Sequence, residues 1–437
     1  MLPLSMNTMA ASMDINTLKE IIIEQNSARK RLPAGTERQL LKQVGKYLNT
    51  PHVVILCGMR RTGKSTLQRQ IQQSHYKQST YFFNFEDERL LNFKTADLNK
   101  LFEAFVELYG EQKVFFFDEI QNILGWETFV RRMQDNQYKF FITGSNASLL
   151  SKELGTKLTG RHINLTVYPF SFEEYLTFNQ FELTQNMLLQ TQSRGMIKNH
   201  FQQYLQFGGL PEYLQYKDLD LIKRTYDDIL YRDIITRYDI KAVKAFRELS
   251  LYLFRNVSTL LSYRKLATML ELGSVTTVKN FIDYLENSYL FFTIRKYSPS
   301  IKTQTIANKK IYCLDNGLIE AVAFQFSDNN GRYLENLVFI ELMRRGKEIY
   351  YYHTQHNLEV DFAIKEGKRI TQMIQVCHGF HSEKTMNREI NSLVAALDEV
   401  DLNEGIILTQ DHSEKLVVNG KTITILPVYQ WLLNITS

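Results

Sequence analysis

Short apolar runs in the first half of the chain predict the strands of a buried parallel sheet. They lie within residues 53–57, 81–85, 113–119 and 139–146. Strands covered by helices on both faces are apolar throughout, whereas strands with one wet face alternate between apolar and polar residues. A helix is expected after the first strand, at residues 65–74. This part of the chain is therefore predicted to be an α/β unit with a parallel sheet.

The pattern changes to helical spacing at residues 172–238, which we interpret as a helical lid. Residues 263–270 and 275–287 then read as two helices joined by a turn at Gly273 and Ser274, with strands at 289–297 and 310–314 as the wing of a winged helix. A helix at 331–345 and strands at 349–352 and 358–364 begin a second α/β region. The predicted domains are N-terminal helices at 1–50, an α/β core at 51–170, the lid at 171–240, the winged helix at 241–325 and a C-terminal domain at 326–437.

Composition restricts the possible class of protein but does not identify its function. The 437 residues are 44% hydrophobic, which is enough for several packed cores. Three scattered cysteines and an apolar pattern without a leader or a membrane-length run predict a soluble protein of the cytoplasm, with no membrane partner. The net charge of +5 permits nucleic-acid binding without requiring it.

Residues 58–65 follow the first strand and fit the phosphate-loop pattern GxxxxGK[ST]. Glycines allow the loop to turn its backbone N–H groups toward phosphates, and the helix that follows adds the positive end of its dipole. Lys64 would reach the terminal phosphates and Ser65 would bind Mg²⁺, so ATP and Mg²⁺ are the predicted cofactors. The predicted nucleotide-binding residues are Gly58, Arg60, Arg61, Thr62, Gly63, Lys64, Ser65 and Thr66.

Two further strand ends complete the predicted site. Asp118 would hold Mg²⁺, and Glu119 would act as the general base that activates the attacking water. Ser145 or Asn146, after the strand at 139–144, would orient that water; alternatively, these residues cap a helix at 147–153.

Several motifs together resemble the archaeal-type ATPases of the AAA+/STAND group. They are the phosphate loop with two internal arginines, Phe-Asp-Glu-Ile-Gln at 117–121, Thr-Gly-Ser-Asn at 143–146, Leu-Thr-Gly-Arg at 158–161, Tyr-Pro-Phe-Ser-Phe-Glu-Glu-Tyr at 168–175 and Gly-Gly-Leu-Pro-Glu-Tyr at 208–213. The resemblance implies that Arg161 stabilises the γ-phosphate, either within its own chain or across to a neighbour in a dimer or ring, while related proteins also rest as monomers. Together with the residues argued above, the predicted catalytic residues are Glu119, Lys64, Asn146 and Arg161.

The winged helix suggests double-stranded DNA as a partner. Its second helix carries Thr276, Thr277, Lys279 and Asn280, and nearby positive charge comes from Arg295, Lys296, Lys302, Lys309 and Lys310. The same module also serves for docking to proteins, so both readings stay open.

The C-terminal domain is similar to PD-(D/E)xK nucleases, the companion expected from the same resemblance. That chemistry needs two carboxylates and a lysine. Asp361 and the helical Glu335 are present, but Gln375 replaces the second strand carboxylate and Cys377 replaces the lysine. We therefore expect a restriction-endonuclease-like α/β fold without efficient nuclease activity, which would recognise DNA or dock a protein partner.

The sequence thus predicts a P-loop ATPase that switches the arrangement of its lid, winged helix and C-terminal domain. Two alternatives remain. One is an ATPase that controls a DNA nuclease, and the other is a binding protein that ATP stabilises with little turnover.

Overall fold

The computed structural model describes residues 13–77, 80–145, 158, 160–184, 190–323, 330–380 and 382–434. They group into two compact units. The first consists of Met1–Met59 and Gly63–Val167, and the second of Arg60–Thr62 and Tyr168–Ser437. The boundary after Val167 is close to the predicted end of the α/β core, whereas the finer division of the second unit stays a prediction.

The first unit contains a sheet of five parallel strands. In chain order they are β1 (Val53–Cys57), β2 (Tyr81–Asn84), β3 (Val114–Asp118), β4 (Lys139–Gly144) and β5 (His162–Thr166). Their order across the sheet is β2-β3-β4-β1-β5, and each neighbouring pair is parallel. The predicted α/β fold with a parallel sheet is confirmed.

Aromatic residues pack between β3 and β4, which are neighbours in this sheet. The ring of Phe115 stacks on Phe140 with a centroid distance of 4.7 Å, and Phe116 stacks on Phe141 at 4.9 Å. The two pairs point to opposite faces because successive side chains of a strand alternate. Each stacked pair contributes about 0.5–1.5 kcal/mol beyond the burial of its apolar area.

Helices cover this sheet: α1 (Ile15–Arg31), α2 (Leu40–Val44), α3 (Lys64–Ile71), α4 (Asp97–Tyr109) and α5 (Trp126–Asp135). The carboxylate of Asp14 accepts the N–H groups of Asn16 and Thr17 and so starts α1. The predicted helix at 65–74 is α3 followed by a π-helical turn, Gln72–Tyr76.

The helices of the second unit include those predicted for the lid. They are α6 (Phe172–Phe178), α7 (Thr191–Phe207), α8 (Pro211–Tyr216), α9 (Leu219–Asp228), α10 (Val243–Arg255), α11 (Tyr263–Met269), α12 (Val275–Asn287), α13 (Ile301–Ile306), α14 (Asn316–Val322), α15 (Asn330–Arg344), α16 (Glu383–Glu399) and α17 (Val428–Leu432). A π-helical segment, Ile229–Ile235, follows α9, so the helix expected at 219–238 is not a regular α-helix throughout.

A mixed sheet of nine strands runs through the rest of this unit. The strands are β6 (Thr259–Leu261), β7 (Phe291–Lys296), β8 (Lys309–Cys313), β9 (Glu348–His353), β10 (Glu359–Glu366), β11 (Arg369–Cys377), β12 (Glu404–Thr409), β13 (Glu414–Val418) and β14 (Lys421–Pro427). Their order is β13-β14-β12-β11-β10-β9-β7-β8-β6.

Helices α11 and α12 lie where the sequence predicts the two helices joined by a turn. The Ser274 hydroxyl accepts the N–H of Thr276 at 3.0 Å and caps α12. Strands β7 and β8 pair antiparallel like a wing, but β7 also pairs parallel with β9, with Arg295 opposite Tyr350. The strands predicted for a wing are thus part of the larger sheet, and the assignment of winged-helix and nuclease-like domains remains a prediction. Over the part of the chain that the structure describes, no helix has the length and apolar character needed to span a membrane.

Candidate functional site

The phosphate loop leaves the carboxyl end of β1 and enters α3. Gly58 has φ +143° and Gly63 has φ +93°, which are conformations that side chains disfavour. A Cβ at Gly58 would also lie 2.5 Å from the carbonyl oxygen of Val167. Both glycines are therefore required by the backbone path of the loop.

Lys64 lies inside this loop. Its Nζ donates to the carbonyl oxygens of Gly58 and Met59, each at 3.0 Å. The Lys64 side chain is buried. It can therefore exchange these acceptors for the oxygens of an anion bound in the loop.

Ser65, Asp118 and Thr143 form a hydrogen-bonded chain at the carboxyl ends of the strands. The Ser65 hydroxyl donates to Oδ1 of Asp118 at 3.2 Å, and the Thr143 hydroxyl donates to the same oxygen. The Thr143 hydroxyl also accepts the backbone N–H of Glu119 at 3.0 Å. This bridging role of Thr143 was not predicted, although the residue belongs to the Thr-Gly-Ser-Asn motif at 143–146.

Glu119 has φ 52° and ψ 38°, a left-handed conformation that costs a residue with a side chain about 1–2 kcal/mol. Its Oε2 accepts from Gln121 Nε2 and from the Ser145 hydroxyl, the latter at 3.5 Å. Such strain is found at functional sites where surrounding contacts hold it in place. Ser145 thus lies beside the predicted base, while Asn146 lies outside the described residues.

The donor set at Ser65 and Asp118 fits Mg²⁺. This ion prefers oxygen ligands, and in nucleotide sites it takes one or two protein ligands and completes its shell with water and phosphate. Within the described ranges no group of three or more His, Cys, Asp or Glu side chains could hold a metal ion. An ion held by Ser65 and Asp118 would complete its coordination with water and phosphate oxygens.

The two arginines of the loop contact carboxylates. Arg60 donates from Nε and from a terminal nitrogen to the two oxygens of Asp233, and Arg61 lies 3.3 Å from Oε2 of Glu212. Their predicted contacts to nucleotide stay predictions, as do those of Thr62 and Thr66. Asp233 and Glu212 are more than 150 residues away in sequence, so no local pattern could have identified them.

Arg161 does not join this site within one chain. It directly precedes β5, at the amino end of the parallel strands, where it pairs with Asp135. The phosphate loop follows the opposite end of β1, and five residues of strand separate the two edges by roughly 16 Å. The expectation that Arg161 contacts a γ-phosphate bound in the same chain is therefore wrong. A role of Arg161 across to a neighbouring chain remains a prediction.

A second polar cluster surrounds Lys310 in the nine-stranded sheet. Its Nζ lies 2.8 Å from Asp361, 2.9 Å from Glu335 and 2.8 Å from Glu359. Lys310 is only 3% exposed, so its expected role as surface charge for DNA is wrong. Lys310 places an ammonium beside these carboxylates, a charge that Cys377, at the expected position of the nuclease lysine, does not supply.

The carboxylates of this cluster favour the charged form of Lys310. Burial would lower the pKa of Lys310, but Asp361, Glu335, Tyr312 and Glu359 together raise it well above its ordinary value. Burial, followed by the charge of Asp361, raises the pKa of Glu335 to about 7. Gln375, at the second carboxylate position, donates from Nε2 to Glu389 at 2.8 Å and accepts the N–H of Asp361. The cluster is therefore a filled ion-pair network around an ammonium.

Family models match three parts of the chain. They are described as "AAA domain" at residues 50–176, "Domain of unknown function (DUF8612)" at 198–329 and "Domain of unknown function (DUF4143)" at 330–431. The first match covers the phosphate loop, both carboxylates and Thr143, and it identifies residues 50–176 as an AAA-type, nucleotide-binding P-loop domain.

Two solved structures are similar in part. DnaA from Aquifex aeolicus bound to AMPPCP is 17% identical and matches 59% of this chain and 90% of that chain, with a TM-score of 0.26. The Aeropyrum pernix Orc1 protein in complex with DNA is 10% identical and matches 64% of this chain and 90% of that chain, with a TM-score of 0.28. Scores this low do not establish a shared overall fold.

Two relatives match nearly the full chain. An uncharacterized Haemophilus influenzae protein is 29% identical over 407 residues, covering 90% of this chain and 97% of the relative. The uncharacterized protein MJ1544 of Methanocaldococcus jannaschii is 34% identical over 401 residues, covering 87% of this chain and 88% of the relative. The chain therefore belongs to the family of MJ1544 and carries an AAA domain at residues 50–176.

Proposed function

We propose that this protein binds ATP with Mg²⁺, hydrolyses it to ADP and phosphate, and changes conformation with the state of the nucleotide. One observation carries the proposal. Ser65, Asp118 and Thr143 form a continuous hydrogen-bonded chain that ends at the backbone of Glu119. The residues suited to a metal ion are thus fixed next to the residue suited to activate water.

Each residue has a separate task. Lys64 releases the carbonyl oxygens of Gly58 and Met59 and donates instead to the terminal phosphates. Ser65 and Asp118 hold Mg²⁺, which when bound neutralises phosphate charge. The Glu119 carboxylate accepts a proton from the attacking water.

Steady-state phosphate release with Mg·ATP tests the proposal. Glu119→Gln keeps the shape of the side chain but removes the base, so release falls by about 10²- to 10⁴-fold while ATP still binds. Lys64→Ala weakens ATP binding itself. The control is Glu37→Gln, the same chemical change at an exposed position.

Release that survives in both Lys64→Ala and Glu119→Gln would contradict hydrolysis at this site. Measurable ATP affinity without any release in the unmodified protein would instead favour a binding protein in which ATP selects one conformation.

As a second candidate function, we propose that the exposed face of α12 binds DNA. Thr276, Lys279 and Asn280 are exposed there, and Arg295 and Lys302 are exposed nearby. These are side chains that donate to phosphates and base edges. Fluorescence anisotropy of a labelled DNA duplex should show weaker binding for Lys279→Gln and a reduced dependence on salt. The control is Lys244→Gln on α10, and equal affinities for the two variants would contradict the proposal.

We infer that the C-terminal region does not cleave DNA, because the ammonium of Lys310 fills the point at which Glu335, Glu359 and Asp361 converge. The inference thus rests on the position of the Lys310 ammonium and not on the missing lysine at Cys377. Mg²⁺-dependent cleavage that disappears in Asp361→Ala would overturn the inference.

A further inference from the structure

A cavity of about 340 Å³ lies in the first unit, away from the phosphate loop. Arg29 and Lys30 of α1 line it, together with Arg69 of α3, Lys77 after the π-helical turn, and Thr80 and Tyr109. Thr80 precedes the amino end of β2, whereas the phosphate loop follows the carboxyl end of β1. The cavity therefore lies toward the amino ends of the parallel strands, whereas the predicted nucleotide site lies at their carboxyl ends.

The described lining of this cavity has four cationic side chains and no carboxylate. Lys30 and Lys77 are exposed, but Arg29 and Arg69 are only 8% and 6% exposed. Buried arginines are normally paired with carboxylates, because removing a charge from water is costly. The cavity concentrates positive charge instead of neutralising it.

Arg29 is held entirely by neutral groups. Its guanidinium lies 3.8 Å from the centroid of the Phe82 ring, and its nitrogens donate to the side-chain oxygens of Gln72 and Gln68 at 3.1 and 3.4 Å. Arg29 forms no salt bridge with any residue that the structure describes. Its position is thus fixed without a carboxylate in direct contact.

Arg69 is incompletely satisfied as well. One terminal nitrogen donates to the carbonyl oxygen of Pro33, while Nε is buried and has no hydrogen-bond partner in the described part of the chain. An unsatisfied buried N–H on a charged group is expensive, and an anion is the partner that would compensate both the charge and the hydrogen bond.

The titration of the two arginines agrees with this geometry. Burial lowers the pKa of Arg29 to about 10; Asp118 opposes the shift, and the charge of Arg69 adds to it. Burial also lowers the pKa of Arg69.

We propose that this cavity is a second anion site, which binds a small phosphate-bearing ligand of about the size of pyrophosphate. Guanidinium groups match the oxygen geometry of phosphate, and the volume is at the lower end of pockets that hold small ligands. The burial of both arginines favours a small anion over a polymer, because a nucleic-acid backbone would need them exposed along a groove.

Isothermal titration of the full-length protein with pyrophosphate at constant ionic strength tests the site. The titration uses the Lys64→Ala variant, so that binding in the phosphate loop does not contribute. Saturable binding with one site per chain is expected to persist in this background. Sulfate should compete, and chloride should not.

Matched double variants locate the binding. Lys30→Gln with Lys77→Gln removes two exposed charges from the cavity and should weaken binding at least tenfold. Arg31→Gln with Lys46→Gln removes the same charge from exposed positions outside it and should leave the affinity unchanged. Arg69→Gln should abolish binding, with circular dichroism as the check that it folds; if it does not fold, the lysine pair decides.

Three outcomes would overturn the proposal. Binding could vanish with Lys64→Ala alone, which would assign it to the phosphate loop. The two double variants could lose equal affinity, which would indicate general electrostatic attraction. A short labelled oligonucleotide could bind without being displaced by pyrophosphate, which would indicate a nucleic-acid surface.

Discussion

Arg60, inside the phosphate loop, donates to both carboxylate oxygens of Asp233, with Nε 2.6 Å from Oδ2 and a terminal nitrogen 3.0 Å from Oδ1. Asp233 lies in the π-helical segment Ile229–Ile235 and is almost fully buried. A two-point contact of this kind fixes the orientation of both groups. Arg60, which the sequence predicts to contact the nucleotide, is thus paired with the carboxylate of Asp233.

Removing the charge of Asp233 should destabilise the fold. Asp233→Asn removes the negative charge that the Arg60 guanidinium contacts at two points and should lower the free energy of unfolding by about 1–3 kcal/mol. Glu212→Gln should cost less than about 1 kcal/mol, because its partner Arg61 is largely exposed. Urea unfolding of both variants measures the difference, and equal losses would contradict the assignment.

Thr143→Val should slow phosphate release without preventing ATP binding. The substitution keeps the shape of the side chain but deletes the hydroxyl that connects Asp118 with the backbone of Glu119. Losing such a supporting contact typically costs about 10- to 100-fold in activity. The control is Thr128→Val, which removes a hydroxyl from an exposed position on α5. Unchanged turnover in Thr143→Val would show that the bridge is not needed.

Lys310→Met should be strongly destabilising. It keeps the length of the side chain but leaves Glu335, Glu359 and Asp361 close together without their shared cation. Breaking a buried ion-pair network by removing one partner costs about 3–5 kcal/mol. The neighbouring Lys309→Met, on the same strand, should change the free energy of unfolding much less. Similar losses for the two variants would contradict the network.

The pKa of Glu335 predicts a pH dependence. Because its folded value is about 7, above the ordinary 4.5, the folded protein binds this proton more tightly than the unfolded chain. The resulting stability is fully present below about pH 4.5 and is lost as the pH rises through about 7. Burial also raises the pKa of Asp315 to about 7. Glu335→Gln should therefore remove part of the decline in unfolding free energy, and an unchanged slope would be evidence against the shift.

Gly208→Ala should disrupt the Gly-Gly-Leu-Pro segment. An added Cβ would lie 1.9 Å from Oδ1 of Asp315, and φ at Gly208 is +71°. Asp315 also accepts the N–H of Gly209 at 2.7 Å, so no simple shift relieves the clash. We expect a loss of at least about 2 kcal/mol in thermal or urea unfolding. Gly195→Ala, at an open position within α7, should instead stabilise by up to about 1 kcal/mol.

Local patterns were sufficient for much of the first unit. The apolar runs at β1, β3 and β4 are buried on both faces, so the sequence carries the signal of a parallel sheet directly. The phosphate loop is also local, because its glycines and Lys64 act within eight consecutive residues. The order of the strands and the hydrogen bonds between them needed the structure.

Contacts between residues far apart in sequence explain why the expectations for Lys310 and Arg161 were wrong. Lys310 follows Lys309 in sequence and looks like surface charge, but its carboxylate partners come from α15 and β10. The position of Arg161 relative to the phosphate loop depends on strand direction, which the motif alone does not give. These features are set by tertiary contacts, and sequence reasoning from one chain cannot supply them.

The ladder between β7 and β9 has a mechanical consequence. It joins β7, beside α12, to the strands of the C-terminal region, and ion pairs of Lys310 connect β8 with β10 and α15. Moving either part on its own would break these backbone hydrogen bonds and separate buried charges. We therefore expect the strands on the two sides of this ladder to move together.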